Sequence, residues 1–318
     1  VGFATARGPL RAVDGVSFDL QAGRTLGIVG ESGSGKSVLV RSLIGLVGEA
    51  SGALVAGQVL LDGRDLRSLS PAEMRAVLGR KIGIVFQDPM TSLNPVMKIG
   101  RQIGEGLRLN RGMDAAAAAR RAVELLAEVG IPEPERRAAQ YPHEMSGGMR
   151  QRVAIAIAIA CEPKLLIADE PTTALDVTVQ RQILDLLQRE QRLRGMAMIL
   201  ITLDLGVAAG RADDIMVMYA GRAVEMATTR EIFRSPRMPY TEALLRSLPR
   251  LSDPTHTRLS AIPGRPPDLA RRTGGCSFAP RCRYRDTRCD EEQPVETREE
   301  TSGGGRGYAC FHPIGAGA

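Results

Sequence analysis

Apolar and polar positions change period several times along the chain. Between residues 12 and 21, Val16, Phe18 and Leu20 alternate with Ser17, Asp19 and Gln21, the two-residue period of a half-buried strand. Thr25 to Val29 is a short continuous apolar run that enters the glycine-rich stretch Gly30 to Ser37, and a helical pattern follows from Val38 to Leu46. Val59 to Leu61 precedes an Asp62-Gly63 turn, and Ile82, Ile84 and Phe86 alternate again, so hairpins surround a strand-loop-helix unit. From Met90 to Glu144 the pattern is helical, with the Ala-rich run Asp114 to Val129 and breaks at Pro132, Pro134 and Pro142. With the segment that follows, this predicts an inserted helical subdomain over about 90–160. Apolar strands return at Lys164 to Ala168 and Met196 to Thr202 around a helix from Val177 to about Arg194, the alternation of a parallel α/β core. Beyond Ser235 the composition shifts to Pro, Arg and Gly, which predicts a main domain over 1–235 and an extension over 236–318.

Composition narrows the classes. A chain of 318 residues with 43% hydrophobic content can bury a sizeable core. The excess of basic residues, +6, suits anionic ligands or a lipid surface, and 3% aromatics without Trp argue against a platform for single-stranded nucleic acid. The longest apolar stretch, Val153 to Cys161, is far short of the roughly 18–20 residues of a membrane span. The chain opens at Val1 without a charged and apolar leader, so a trimmed N-terminus and a cytoplasmic location are expected, where structural disulfides are uncommon.

Gly30-Glu31-Ser32-Gly33-Ser34-Gly35-Lys36-Ser37 fits the P-loop pattern. Gly30, Gly33 and Gly35, with Ser32 and Ser34 between them, let backbone N–H groups turn inward on a triphosphate at the positive end of the following helix. Lys36 is expected to reach the β- and γ-phosphates, and the Ser37 hydroxyl to hold Mg²⁺. Leu165 to Ala168 then ends in Asp169 and Glu170. Asp169 suits the outer shell of Mg²⁺, and Glu170 suits a base that polarises water for attack on the γ-phosphate. Two acids after a strand also complement a helix dipole, and it is the upstream P-loop that favours the catalytic reading.

Met145-Ser146-Gly147-Gly148-Met149-Arg150-Gln151-Arg152 resembles the signature of ABC ATPases, in its family position shortly before the carboxylate strand. Gln87, in Val85-Phe86-Gln87-Asp88-Pro89, looks like the Q-loop glutamine, and Thr173-Ala174-Leu175-Asp176 looks like the D-loop. Ser146 also reads as the cap of a helix from Met149 to Ala160. The resemblance implies a P-loop NTPase fold, α/β, with an antiparallel β subdomain and the inserted helical subdomain. It implies that ATP and Mg²⁺ are bound by Gly30, Ser32, Gly33, Ser34, Gly35, Lys36, Ser37, Gln87 and Asp169, with Glu170 and Gln87 catalytic. Ser146, Gly147 and Gly148 would clasp the nucleotide of a second cassette packed head to tail. Phe3 is either the aromatic that stacks on adenine or a core residue of a strand. One departure stands out: Leu203, in Ile201-Thr202-Leu203-Asp204-Leu205, occupies the place of the family's switch histidine. Leucine cannot hydrogen-bond a phosphate or orient Glu170, so slow hydrolysis is expected at this chain's own P-loop, whether the residue is natural or introduced to trap ATP.

Cys276, Cys282, Cys289 and Cys310 are separated by five, six and twenty residues, within a tail too poor in apolar residues to fold on packing alone. These gaps exceed those of common zinc ribbons and favour a four-cysteine iron–sulfur cluster over Zn²⁺, while Cys161 reads as a core residue. None of His143, His256 and His312 is assigned to a metal, although His312, close to Cys310, stays a minor candidate. Gly275 to Cys282, with Ser235 to Thr241 and Ile262-Pro263-Gly264, looks like the C-terminal extension of ATPase subunits from dipeptide and oligopeptide permeases, some of which carry a [4Fe-4S] cluster there. The implied role is the motor subunit of a bacterial peptide importer, peripheral on the cytoplasmic face of the inner membrane. Its implied partners are a paralogous second ATPase subunit, two transmembrane permease subunits and an extracytoplasmic substrate-binding protein, with no nucleic acid. The competing readings are a soluble cassette of DNA repair or translation and a regulatory cassette that binds ATP without hydrolysing it.

Overall fold

The computed structural model describes residues 1–6, 8–48, 52–88, 92–173, 175–249, 261–270, 274–301 and 304–315. Pro89 and Ala174, each part of a motif, and His256 lie outside them. The chain forms two compact units. One comprises Val1–Asp19, Leu26–Val59 and Thr202–Ala318, the other Leu20–Thr25 and Leu60–Ile201. Among the described residues no helix is long and apolar enough to cross a membrane.

In the first unit the strand Gly2–Thr5 pairs antiparallel with Gly8–Arg11 and with Ala53–Leu54. A larger sheet runs in the order Thr297–Thr301, Gly304–Tyr308, Arg222–Thr228, Asp214–Tyr219, Thr25–Val29. The last pairing is parallel, with Leu26 opposite Asp214 and Val29 opposite Val217, and the others are antiparallel. Thr25–Val29 is buried throughout, which is why it reads as an unbroken apolar run and not as an alternation. Residues beyond 235 share this unit's core. Tyr219, Tyr240 and Phe278 meet with ring centroids 4.5 to 5.3 Å apart, in one cluster with Val29, Ile215 and Val217. Full burial of each such side chain is worth about 1.5–3 kcal/mol. The helix Thr229–Arg234 starts at a capping box of Thr228 and Glu231, and the helix Pro239–Arg246 has proline at its first position, where the missing N–H is harmless.

In the second unit Ile82–Val85, Leu165–Asp169 and Ala197–Thr202 form parallel neighbours, with Leu165–Asp169 in the middle. Its α-helices among the described residues include Pro71–Arg80, Ile99–Arg111, Ala115–Glu128, Pro134–Ala138, Gly147–Ile159 and Val177–Arg194. The expected helical stretch is thus present, and Val177–Arg194 has the predicted bounds. Gly147–Ile159 buries Val153, Ala154, Ile155, Ala156, Ala158 and Ile159, because it is apolar on nearly every side. The Asp62-Gly63 turn joins Leu60–Leu61 to Arg64–Asp65, and both turn residues have positive φ (53° and 77°), as a two-residue hairpin requires.

One expected element is corrected. Residues 16–21 keep their alternation, half-buried then exposed, but they are not a strand and pair with no neighbour among the described residues. A two-residue period records which side of an extended chain faces protein; it does not supply a ladder partner.

Candidate functional site

Gly30 to Ser37 joins the strand Thr25–Val29 to the helix Lys36–Leu43 in the first unit. Two of its glycines are obligatory. Gly30 has φ 152°, and a Cβ there would lie 2.2 Å from the Met218 carbonyl oxygen; Gly35 has φ 101°, and a Cβ would lie 2.4 Å from the Ala12 carbonyl oxygen. The wall behind Gly35 is pinned, since Asp14 N–H donates to Gly221 O (2.8 Å) and Gly221 N–H donates to Ser34 O (2.9 Å). The helix has no acidic residue in its first turn and no side-chain cap at Gly35, so its positive end is left for an anion. Lys36 is buried and donates from Nζ to Gly30 O (2.8 Å) and Glu31 O (3.0 Å), curling over its own loop. Ser34 Oγ is buried without a hydrogen-bond partner among the described residues, an atom that a phosphate oxygen would satisfy. These residues fit a triphosphate.

The second unit carries the carboxylates. Asp169 ends the middle strand fully buried, and Glu170 turns out of it at φ 47°, a backbone state costing about 1–3 kcal/mol for a non-glycine residue. Its N–H donates to Ile201 O (3.1 Å), which holds the turn. Glu170 Oε2 accepts from Gln87 Nε2 (2.9 Å) and from Thr173 Oγ1 (3.2 Å). Gln87 and Glu170 meet across 83 residues because Ile82–Val85 and Leu165–Asp169 are adjacent parallel strands with Val85 opposite Ala168, so both chains leave the sheet at the same end. The motif Thr173 to Asp176 includes Thr173 but not this contact, for its hydroxyl meets Glu170 only once the turn after Glu170 is formed.

Ser146 is exposed and caps the helix Gly147–Ile159, its Oγ accepting from Met149 N–H (3.3 Å) as expected. Gly147 and Gly148 give Leu175 and Val179 room: added Cβ atoms would lie 3.5 and 2.8 Å from those side chains. Asp176 caps the helix Val177–Arg194 just beyond. In the first unit, Phe3 is half-buried in the three-stranded sheet opposite Leu10 and Ala53, and Leu203 is 51% exposed beside Asp204, which caps the short helix Leu205–Ala209.

None of the four tail cysteines is in a disulfide. Cys276 N–H donates to Cys289 O (2.8 Å), and Cys276, Cys282 and Cys310 pack against the core that holds Phe278. Burial above all pushes the Cys310 thiol up to about 12. Burial is also the largest cause raising Cys276, Cys282 and Cys289. Among the described residues the candidate metal-ligand atoms that lie within 4.8 Å of one another are those of Asp286, Cys289 and His312, and not those of the four cysteines together. Asp286 caps the short helix Thr287–Glu291 through Cys289 N–H (3.0 Å) and lies 2.9 Å from His312 Nε2, so His312 is engaged beside the cysteines. Cys161 is buried in the core, as expected, and His143 is exposed, stacked on Tyr141.

Residues 13–173 match the family model of ABC transporters, and residues 224–289 match that of the oligopeptide/dipeptide transporter C-terminal region. The dipeptide transport ATP-binding protein DppD of Bacillus subtilis is 50% identical over 297 residues, 93% of this chain and 88% of that protein. The oligopeptide transport ATP-binding protein OppD of Salmonella typhimurium is 48% identical over 314 residues, 99% of this chain and 92% of that protein. Among solved structures, the dimeric post-hydrolysis state of the ATP-binding cassette MJ0796, bound to ADP and Pi, is similar with a TM-score of 0.64 at 29% identity, covering 72% of this chain and 95% of that one. With both family models met in a single chain and its length shared with such transport ATPases, the protein belongs to the ABC transporter family, as an ATPase cassette that carries the C-terminal region of oligopeptide and dipeptide transporters.

Proposed function

We propose that this chain is the ATP-driven motor of an importer for di- or oligopeptides. The observation that carries the reading is that a P-loop shaped for a triphosphate and the oligopeptide/dipeptide transporter region occur in one compact unit. Lys36 and the loop N–H groups bind the phosphates. Ser37 and Asp169 would hold Mg²⁺, which supplies positive charge for the β- and γ-oxygens. Glu170, held by Gln87 and Thr173, orients and deprotonates the attacking water. Phe3 is the proposed stacking partner of the adenine.

Ser146, Gly147 and Gly148 are proposed to close the nucleotide of a second cassette, a role supported by the exposure of Ser146 and by a helix start free of acidic residues. Leu203 makes that partner a paralogue in this reading, since the partner's own switch residue would keep one of the two sites fast. The pair docks on two transmembrane permease subunits at the cytoplasmic face of the bacterial inner membrane, fed by an extracytoplasmic substrate-binding protein. We take 1–235 as the cassette and 236–318 as the extension, in which Cys276, Cys282, Cys289 and Cys310 hold a [4Fe-4S] cluster. Gaps of five, six and twenty residues between these cysteines, longer than those of common zinc ribbons, support that assignment over zinc.

Purification from membranes tests the motor: permease subunits are expected to accompany the chain, and peptide uptake by the reconstituted complex is expected to need ATP and to vanish with Lys36→Ala. Co-fractionation with ribosomes or nucleic acid and no permease would overturn it. Protein prepared without oxygen is expected to contain iron and sulfide in equal amounts; stoichiometric zinc with neither would overturn the cluster.

A further inference from the structure

Glu31 is a variable position of the P-loop pattern, yet it is among the most tightly held residues of the loop. Its backbone O accepts from Lys36 Nζ (3.0 Å), its N–H donates to Tyr240 Oη (3.0 Å), and its carboxylate takes both arms of Arg281. Arg281 Nη1 donates to Oε2 at 2.6 Å and Nη2 to Oε1 at 2.9 Å, a two-pronged ion pair across 250 residues. The Arg281 side chain is only 4% exposed. Its remaining donors are also occupied: Nε by Pro263 O (2.8 Å), Nη1 by Tyr219 Oη (3.2 Å) and Nη2 by Ile262 O (3.5 Å). A guanidinium has five N–H groups in one rigid plane, so a fork with each nitrogen engaged has a single orientation. The bond to Glu31, and then that to Tyr219, holds Arg281 charged more firmly than an ordinary arginine.

From these contacts we infer that Arg281, assisted by Tyr240, is a positioning residue for the nucleotide site, through which the C-terminal extension sets the shape and charge of the P-loop. Two physical effects follow. Arg281 neutralises a carboxylate inside a loop that must accept a triphosphate, and it fixes the peptide whose oxygen steers Lys36. The turn that carries Arg281 is flanked by two of the four tail cysteines. Ala279 N–H donates to Cys276 O (2.9 Å) and Cys282 N–H to Ala279 O (3.1 Å), so the turn Ala279–Arg281 is bracketed by two of the four cysteines. On the proposed reading of the four cysteines as one metal centre, loosening that centre releases Arg281 and weakens nucleotide binding without touching a residue that meets ATP. The inference rests on the reading of Gly30 to Ser37 as the ATP site.

The test measures Mg-ATP affinity of the assembled complex with a fluorescent ATP analogue, together with the KM and kcat of its ATPase. Arg281→Met is expected to raise Kd and KM about tenfold or more with kcat at saturation unchanged, and Arg281→Lys to recover part of the loss, since a point charge cannot fork onto both oxygens. Tyr240→Phe, which removes one hydroxyl and keeps the packing, is expected to raise Kd about threefold; it keeps the inference testable if Arg281→Met does not fold. Cys282→Ser is expected to weaken binding alone and to add nothing to Arg281→Met, the non-additivity of two residues acting in one chain of contacts. Arg283→Met, which breaks a surface pair with Glu242 in the same segment, is expected to leave Kd within twofold. The inference is overturned if Arg281→Met and Tyr240→Phe both bind like the unaltered protein while Lys36→Ala does not bind, or if Cys282→Ser and Arg281→Met add fully. If Lys36→Ala also binds normally, the ATP site itself has been misread and the inference falls with it.

Discussion

Replacing Gly35 by alanine should damage nucleotide binding by an amount that the loop geometry sets. At φ 101° the backbone lies outside the comfortable range of any L-residue, a strain of about 1–3 kcal/mol. The new Cβ would also stand 2.4 Å from Ala12 O, nearer than real Cβ contacts occur. Neither side can retreat freely, because Ala12 is 5% exposed and its neighbours are tied by the Asp14–Gly221 and Gly221–Ser34 backbone bonds. Breaking one such bond adds about 1 kcal/mol. The total of about 2–4 kcal/mol, concentrated in the loop, corresponds to roughly 30- to 900-fold weaker Mg-ATP binding. Equilibrium titration with a fluorescent nucleotide reads this directly. Gly106→Ala supplies the opposite sign: it lies inside the helix Ile99–Arg111, its Cβ would meet open space, and it should stabilise by about 0.5–1 kcal/mol without altering affinity. Binding by Gly35→Ala within threefold of the unaltered chain, with an unchanged melting temperature, would refute the claim that this glycine is sterically required.

Glu170→Gln should lower turnover about 10²- to 10⁴-fold while Mg-ATP affinity stays within twofold, because the amide oxygen can still accept the Gln87 N–H; a parallel loss of binding would contradict the base assignment. Leu203→His should raise the ATPase rate of the assembled complex several-fold, and an unchanged rate counts against slow hydrolysis at this site. Glu225 gives a pH dependence: burial pushes its carboxyl above the ordinary 4.5, although Arg237 and Met238 N–H groups (2.7 and 3.0 Å) favour its charged form. The folded chain then holds that proton more tightly than the unfolded one, so its contribution is full below pH 4.5 and is lost as pH rises through the raised value. The melting temperature relative to Glu225→Gln should therefore fall as pH increases from about 4.5; a rising difference would reverse the sign.

Much of the cassette was legible in the residues alone. Gly30 to Ser37, Asp169 with Glu170, and Ser146 to Gly148 are each contiguous, and their chemistry depends on backbone turns that a few neighbouring residues decide. The strand Thr25–Val29 and the helix Val177–Arg194 were equally readable, since burial on both faces or on one stripe writes its period into the local sequence. Pairing was not. The alternation at 16–21 promised a strand, yet a ladder needs a second segment at the right register, and no local pattern specifies one. The same limit hid the bond between Gln87 and Glu170, which exists because two parallel strands became neighbours. It hid the fork between Glu31 and Arg281 still more completely, for a variable loop position and one of many tail arginines carry no mark of each other until Tyr219, Tyr240 and Phe278 pack the extension onto the P-loop strand. Local chemistry follows from covalent neighbours, whereas partners hundreds of residues away are chosen by burial of apolar surface, and only the folded chain contains that choice.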